Sequence, residues 1–312
     1  MPGLLQYFKR LGTSAHSAAE RMPDFELAGH RFSEVQLAWR GSSTFVSRAG
    51  RMSWRGLMDD QPVRIIQCDN DAHASFVAAM VNRPDLQAYF PPCPLRIDRY
   101  VIFRWVEGEQ FRWEAVQRHP DRLRQVARIQ ATLHALAPGI EPSAVGYSYL
   151  DFLKARFHRF RGIFPLDELA RRVLDIIDSG HVPGTVRLAH PDVTGRNMVV
   201  AERTGQVTLV DNESLTQNDY FLIDLFNTHK SFGDRLAPEL ARPYLRHYVE
   251  CGGNLAPLFE HTPYLTAIWH LRLMGYYLQN GKPRRALEIA RHAVTEGTGP
   301  HPLVKLARQE YR

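Results

Sequence analysis

Lysine is scarce in this chain. Lys9, Lys154, Lys230, Lys282 and Lys305 are the only ones in 312 residues, so the formal charge of +6 rests almost wholly on arginine. Arginine's planar fork suits phosphate and carboxylate groups, which makes an anionic ligand one reading of the bias and an arginine-favouring codon composition the other. Cysteine is scarce too: Cys68, Cys93 and Cys251 form an odd, scattered set that matches no metal-ligand spacing. That usage points to reduced thiols in a cytosolic protein. No apolar run approaches the about 20 residues that a bilayer-spanning helix needs. The opening MPGLLQYFKRLGTSAHSAAERM has neither the charged start nor the long apolar middle and cleavage site of a secretory signal. The arginines are spread along the chain without a zinc-finger, helix-turn-helix or aromatic RNA-binding signature, so a nucleic-acid partner is not expected. Repeats and low-complexity stretches are absent as well.

What remains is ordinary globular composition, 44% hydrophobic and 23% charged, at a length that fits one large domain or two lobes sharing a cleft. Residues 4–11 put Leu4, Leu5, Tyr7, Phe8 and Leu11 on one helical face, fit for a membrane surface, a partner or the protein's own apolar patch. From about 24 to 108 the pattern is strand-like. Phe32 to Arg55 alternates, interrupted by Gly41-Ser42-Ser43-Thr44 and Ala49-Gly50 as hairpin turns; Pro62 to Cys68 and Tyr100 to Val106 are further strands. Between them Asp71 to Val81 has helical spacing, with Asp69 or Asn70 as N-cap. Beyond Gly108 the periodicity predicts helices at 122–136, 149–160, 166–178, 221–232, 236–250, 262–279 and 283–294. One β-like island, Asn197 to Val210, interrupts them. The boundaries expected are an extension over 1–22, a sheet lobe over 23–106 and a helical lobe over 107–312.

Polar residues flank the island in a specific order. His190-Pro191-Asp192-Val193-Thr194-Gly195-Arg196-Asn197 precedes it and Asp211-Asn212-Glu213 follows it. Phosphoryl transfer from ATP needs a carboxylate to orient the attacking hydroxyl and oxygen ligands to hold Mg²⁺ against the phosphates. Asp192 can supply the first; Asn197 and Asp211 can supply the second. A loop, a tight hairpin and a strand end would bring the three together.

This H-x-D-x-x-x-x-N loop, followed by a strand ending in D-x-E, resembles the aminoglycoside phosphotransferase and choline kinase superfamily. The resemblance implies an α+β, protein-kinase-like two-lobe fold with a small antiparallel-sheet N-lobe and a larger, mainly helical C-lobe. It implies ATP and Mg²⁺ as cofactors, Asp192 as catalytic base, Asn197 and Asp211 as Mg²⁺ ligands, Glu213 as the acidic residue of the D-x-E at the same metal site, and His190 as a brace for the loop. Asp224 matches a structural anchor beneath that loop. Tyr100 to Gly108 resembles the hinge strand, whose backbone at Trp105 and Val106 would pair with adenine. Ile129 to Leu136 resembles the helix that follows the hinge. Ser42 and Ser43 fall where a phosphate-covering loop belongs, and Arg196 stands where it could contact acceptor or γ-phosphate. The match spans about 32–230, and only 190–213 is specific.

The sequence also departs from that pattern. A kinase-like site has a lysine on its third strand, held by a helix glutamate; here the position falls on Arg64, and Asp69, Asp71 and His73 are the only candidates for its partner. Arg64 is then either the phosphate-binding cation or a solvent-facing strand residue. The expected activity is transfer of the γ-phosphate to a hydroxyl of a small molecule or sugar, such as a cell-envelope sugar. Arg156, Arg159, Arg161, Arg171, Arg172 and Arg272 suit an anionic acceptor better than a polycation. The alternative is a silent nucleotide-binding or scaffolding pseudokinase. A protein kinase fits less well, for want of an activation-segment end after Asp211. A cytoplasmic location, with peripheral membrane contact through 4–11, is expected.

Overall fold

The computed structural model describes residues 21–40, 52–161, 167–180, 186–295 and 301–311. Its first part is an antiparallel six-stranded sheet: β1 (Phe25–Leu27), β2 (His30–Arg40), β3 (Met52–Met58), β4 (Gln61–Gln67), β5 (Leu95–Ile97) and β6 (Tyr100–Arg104), in the order β1-β2-β3-β4-β6-β5. Alternation gives the sheet two apolar faces. Phe32, Trp54, Val63, Ile65 and Ile102 close a small outer core, while Ile66, Val101 and Phe103 face the main core of the molecule. The β3–β4 turn is made by Asp59 and Asp60, both with positive φ (50° and 61°), as a tight two-residue hairpin of the type I′ kind demands. Asp59 secures it by accepting hydrogen bonds from the Arg31 amide and the His30 ring.

Between β4 and β5 lies α1 (Asp71–Val81), where the sequence placed it. Of the two N-cap candidates it is Asn70 that caps, its side chain accepting from the His73 amide at 2.9 Å, and Asp71 in the first turn complements the helix dipole. The expected strand to Val106 is shorter than its apolar run. It ends at Arg104, and the chain then forms β7 (Gly108–Gln110), which pairs with the embedded hairpin rather than with the first sheet. At Gly108 a Cβ would lie 2.1 Å from the Val200 carbonyl oxygen, so only glycine allows this approach.

The helical part follows: α2 (Asp121–Ala135), α3 (Tyr149–Arg161), α4 (Asp167–Ser179), then β8 (Arg187–Ala189), the hairpin β9 (Met198–Ala201) and β10 (Val207–Leu209), and β11 (Thr216–Asn218). It closes with α5 (Ile223–Ser231), α6 (Gly233–Glu250), α7 (Ala256–Glu260), α8 (Thr262–Gln279), α9 (Pro283–Thr295) and α10 (Pro302–Tyr311). The expected hairpin is therefore two strands of a three-stranded sheet, β10-β9-β7, with β9 in the middle, and β11 and β8 form a separate pair. All seven expected helices from 122 onward are present within a few residues; α7, α10 and the short strands β1, β5, β7, β8 and β11 are additions. The architecture is the expected α+β one, a small antiparallel sheet set over a larger helical body. Residues 4–11, the turn at 41–44 and Ala49-Gly50 lie outside the described residues. Among the described residues no helix is long and apolar enough to cross a membrane, and no disulfide joins Cys68, Cys93 or Cys251.

Candidate active site

β8 and β11 pair with Ala189 opposite Thr216. That pairing brings the loop after β8 beside the turn before β11, although the hairpin separates them in sequence. His190 to Thr194 form the loop, Gly195–Asn197 a single 3₁₀ turn, and β9 and β10 carry the chain out and back, with the Val210 amide bonded to the Asn197 carbonyl at 2.8 Å. Asp211 then takes a left-handed conformation (φ 69°, ψ 44°), a costly backbone for a non-glycine residue and one that clusters at functional sites.

Three of the expected residues meet here. The Asn197 side-chain amide donates to the Asp192 backbone carbonyl (2.9 Å) and to Asp192 Oδ2 (2.8 Å). With its nitrogen so used, the Asn197 side-chain oxygen is left as an acceptor or cation ligand. Asp211 Oδ1 accepts from Arg64 Nη2 at 2.6 Å across 147 residues of sequence. Arg64 thus lies in the cleft and not on the solvent face of its strand, and its side chain is 29% exposed. None of the three expected acidic or histidine partners holds it. Asp71 pairs with Arg96, Asp69 lies 3.8 Å from His73, and His73 is buried against Tyr147 with its Nε2 on the Leu215 carbonyl.

Arg196 is exposed and only loosely paired, 3.7 Å from Asp192 Oδ2. Glu213 is buried on the same wall as Asp211. His190 is fully buried, does not line the cleft, and its ring nitrogens have no hydrogen-bond partner among the described residues. Desolvation pushes its pKa down, so the ring is neutral. Of the hinge residues, Trp105 is half exposed and its amide donates to the Pro62 carbonyl at 3.0 Å, which removes that N–H as a partner for adenine. The Val106 N–H makes no such bond among the described residues. Neither residue lines the cleft, and Ser42 and Ser43 lie outside the described residues.

The loop rests on α5. Asp224, completely buried, accepts the His190 amide at 2.7 Å and the His134 Nε2–H at 3.3 Å; His134 Nδ1 in turn accepts from the Tyr248 hydroxyl at 2.9 Å. One turn on, Asn227 donates to the Pro191 carbonyl (2.8 Å) and Thr228 to the Val193 carbonyl (3.3 Å). Gln130 of α2 donates to Thr228, and Tyr244 of α6 donates to Gln130. Sequence reasoning singled out Asp224 but missed Asn227 and Thr228; their three- and four-residue spacing from Asp224 on one helix face was the available signal.

The cleft has a volume of about 680 Å³. Arg64, Ile66 and Gln67 roof it, Asp192, Asn197, Asp211 and Glu213 form its floor, and α3 and α8 close its far side with Tyr149, Phe152, Arg156, Arg272 and Tyr276. A carboxylate–amide pair and a second carboxylate beneath a sheet, facing a helical wall, define a protein-kinase-like phosphotransferase fold. The family model described as the phosphotransferase enzyme family matches residues 49–258, more than half of the chain, and the chain belongs to that family. No curated protein sequence matches it. Among solved structures it is similar to choline kinase from Cryptosporidium parvum Iowa II (TM-score 0.56, 11% identity, 86% of this chain and 91% of that one). A microcompartment-associated aminopropanol kinase gives 0.53 at 15% identity, over 96% and 99% of the two chains. A thermostable mutant of aminoglycoside phosphotransferase APH(4)-Ia, in ternary complex with ADP and hygromycin B, gives 0.52 at 15% identity, over 86% and 95%.

Proposed function

We propose that this chain transfers the γ-phosphoryl group of ATP to a hydroxyl of a small molecule or glycan. The observation that carries the reading is the Asn197 side chain, which joins the Asp192 carboxylate to a floor that also holds Asp211. In this reading Asp192 is the base: the contact of its Oδ2 with Asn197 and its position in the cleft lining support a group that orients an acceptor hydroxyl and takes its proton. The adenine nucleotide in one structural relative is consistent with ATP as donor, and Val106 offers the hinge N–H for its base.

The donor set fits Mg²⁺. Asn197 offers an amide oxygen, Asp211 and Glu213 offer carboxylates, and among the described residues no cluster of three His, Cys, Asp or Glu side chains forms a complete protein cage. Mg²⁺ is held in just this way, by one or two carboxylates together with phosphate oxygens and water. When bound it would neutralise charge on the transferring phosphate. Arg64 engages one oxygen of Asp211. A nucleotide's phosphates are the anions that can compete for its guanidinium and release that oxygen.

The same ion pair favours a second reading, a silent nucleotide-binding module in which Arg64 keeps Asp211 closed. Both are tested on Asp192→Asn and wild type with Mg²⁺ and ATP over a panel of hydroxylated acceptors. The transferase reading expects both proteins to bind ATP and the variant to lose about a thousandfold in kcat. Equal ATP consumption by the two overturns it, and binding without turnover by wild type selects the silent module.

A further inference from the structure

A second cavity, of about 200 Å³, shares no described residue with the cleft. It lies where α2 ends, β8 begins and the chain leaves α6, and His134, Arg187, Phe221, Tyr248 and Asn254 are part of its lining. Two glycines shape its rim. Gly252 has φ 91°, and at Gly253 a Cβ would lie 2.3 Å from the Tyr248 ring, so the backbone can cross that ring only without a side chain. The amides of Cys251, Gly252 and Gly253 take the His247, Val249 and Tyr248 carbonyls at 2.9 Å each, so the end of α6 is capped by its own backbone. Arg187 is not needed there. The hydrogen bond of its side chain among the described residues is from Nη1 to the adjoining Val186 carbonyl at 2.9 Å, and no described residue lining the cavity is acidic. The rest of the guanidinium fork is free for a ligand.

The cavity also touches the support of the loop that bears Asp192. His134 and Tyr248 begin a bonded chain: the Tyr248 hydroxyl donates to His134, His134 donates to Asp224, and Asp224 accepts the His190 amide. Phe221 packs edge-on against the same imidazole, with ring centroids 4.9 Å apart. We propose that this cavity is a second binding site, for a small organic carboxylate, and that its occupancy tightens the loop bearing Asp192. The carboxylate pairs with the Arg187 fork. Asn254, whose Oδ1 accepts from the Ala256 amide at 2.9 Å, keeps its side-chain N–H groups as further donors. Phe221, Pro257 and the Tyr248 ring receive an apolar body. A cavity of about 150 Å³ holds benzene, so a ligand the size of benzoate matches this volume. Such a ligand favours the arrangement in which Asp224 holds His190, because breaking the chain dismantles one wall of the site. The site goes beyond the phosphotransferase reading, and binding there does not depend on it.

The test is calorimetry with benzoate, benzamide, benzylamine and inorganic phosphate as probes. Benzoate should bind at least about tenfold more tightly than the other three, the worth of one charge-assisted pair. Arg187→Gln should remove that advantage. Ala135→Phe, which fills the cavity from an exposed position on its wall, should abolish binding, and Arg272→Gln, in the cleft, should leave it unchanged. Hydrogen exchange then reads the coupling. With benzoate at about ten times its Kd, the His190 amide should exchange about tenfold more slowly, while the amides of β3 and β4 keep their rates. Absence of benzoate binding, equal binding of any other probe, or unchanged binding in Ala135→Phe overturns the site. Binding that leaves exchange at His190 unaltered overturns its link to the loop. Failure of wild type to turn over ATP would bring down the phosphotransferase reading and leave both of these measurements standing.

Discussion

Arg64 stands on β4 opposite Phe103, with its guanidinium on the Asp211 carboxylate. The fork can hold Asp211 with one arm and reach a phosphate with another, in a fixed planar geometry that a lysine does not share. Arg64→Ala should therefore raise KM for ATP about tenfold or more, and Arg64→Lys should fall between it and wild type, read by steady-state kinetics at several Mg²⁺ concentrations. If the alanine variant instead gains activity, the ion pair is a brake. The sequence revealed Asp192, Asn197 and Asp211 because one loop and one hairpin fix all three locally. It could name Arg64 but not its partner, because that contact spans two lobes and 147 positions. It pointed to the backbone around Trp105 and Val106 as the adenine contact, but not to the bond from the Trp105 N–H to the Pro62 carbonyl, which joins segments 43 positions apart.

α5 works as a strut. Asp224, Asn227 and Thr228 project from one face and hold the His190 amide and the Pro191 and Val193 carbonyls, so the loop bearing Asp192 is fixed through its backbone. Asn227→Ala leaves the buried Pro191 carbonyl without a donor, at a cost of about 1–3 kcal/mol. The expected result is a lowered Tm together with a fall in kcat larger than any change in KM for ATP; an unchanged kcat would show that the loop holds itself. At this scale periodicity was a good guide wherever an element ran for ten residues or more, as in α2, α3 and α8. It failed for β1, β5, β7, β8 and β11, which have three residues each and are too short to show a period of two. β1, β5 and β7 form because longer neighbours offer them an edge, and β8 and β11 form by pairing with each other across the embedded hairpin; both are tertiary facts.

In the whole molecule, acid is the foreseeable weakness. His229, His270 and His301 meet around Phe226 and Trp269, with Lys230 and His292 near them. Burial pushes His229 and His270 down to about 4, the neighbouring charges adding to this, and His301 well below its ordinary value. These rings are neutral when folded and bind protons readily only when unfolded. Stability is therefore intact above about pH 6.5 and is lost as pH falls from there toward 4. Tm measured across that window should decline steadily, and less steeply in His270→Gln. An equal slope in the two proteins would place the acid sensitivity elsewhere.

The pairing of β7 with β9 has a consequence for which donors the protein can use. Gly108 lies against Val200, and the Phe111 amide bonds to the Met198 carbonyl at 3.0 Å. The segment just past the hinge and the strand leaving Asn197 are thus rungs of one ladder. In the proposed transferase, a base at Val106 and phosphates above Asn197 would be held apart by that ladder at a set distance. Swapping the purine should then matter less than lengthening or shortening the polyphosphate, because only the right number of phosphates brings the terminal one over Asp192.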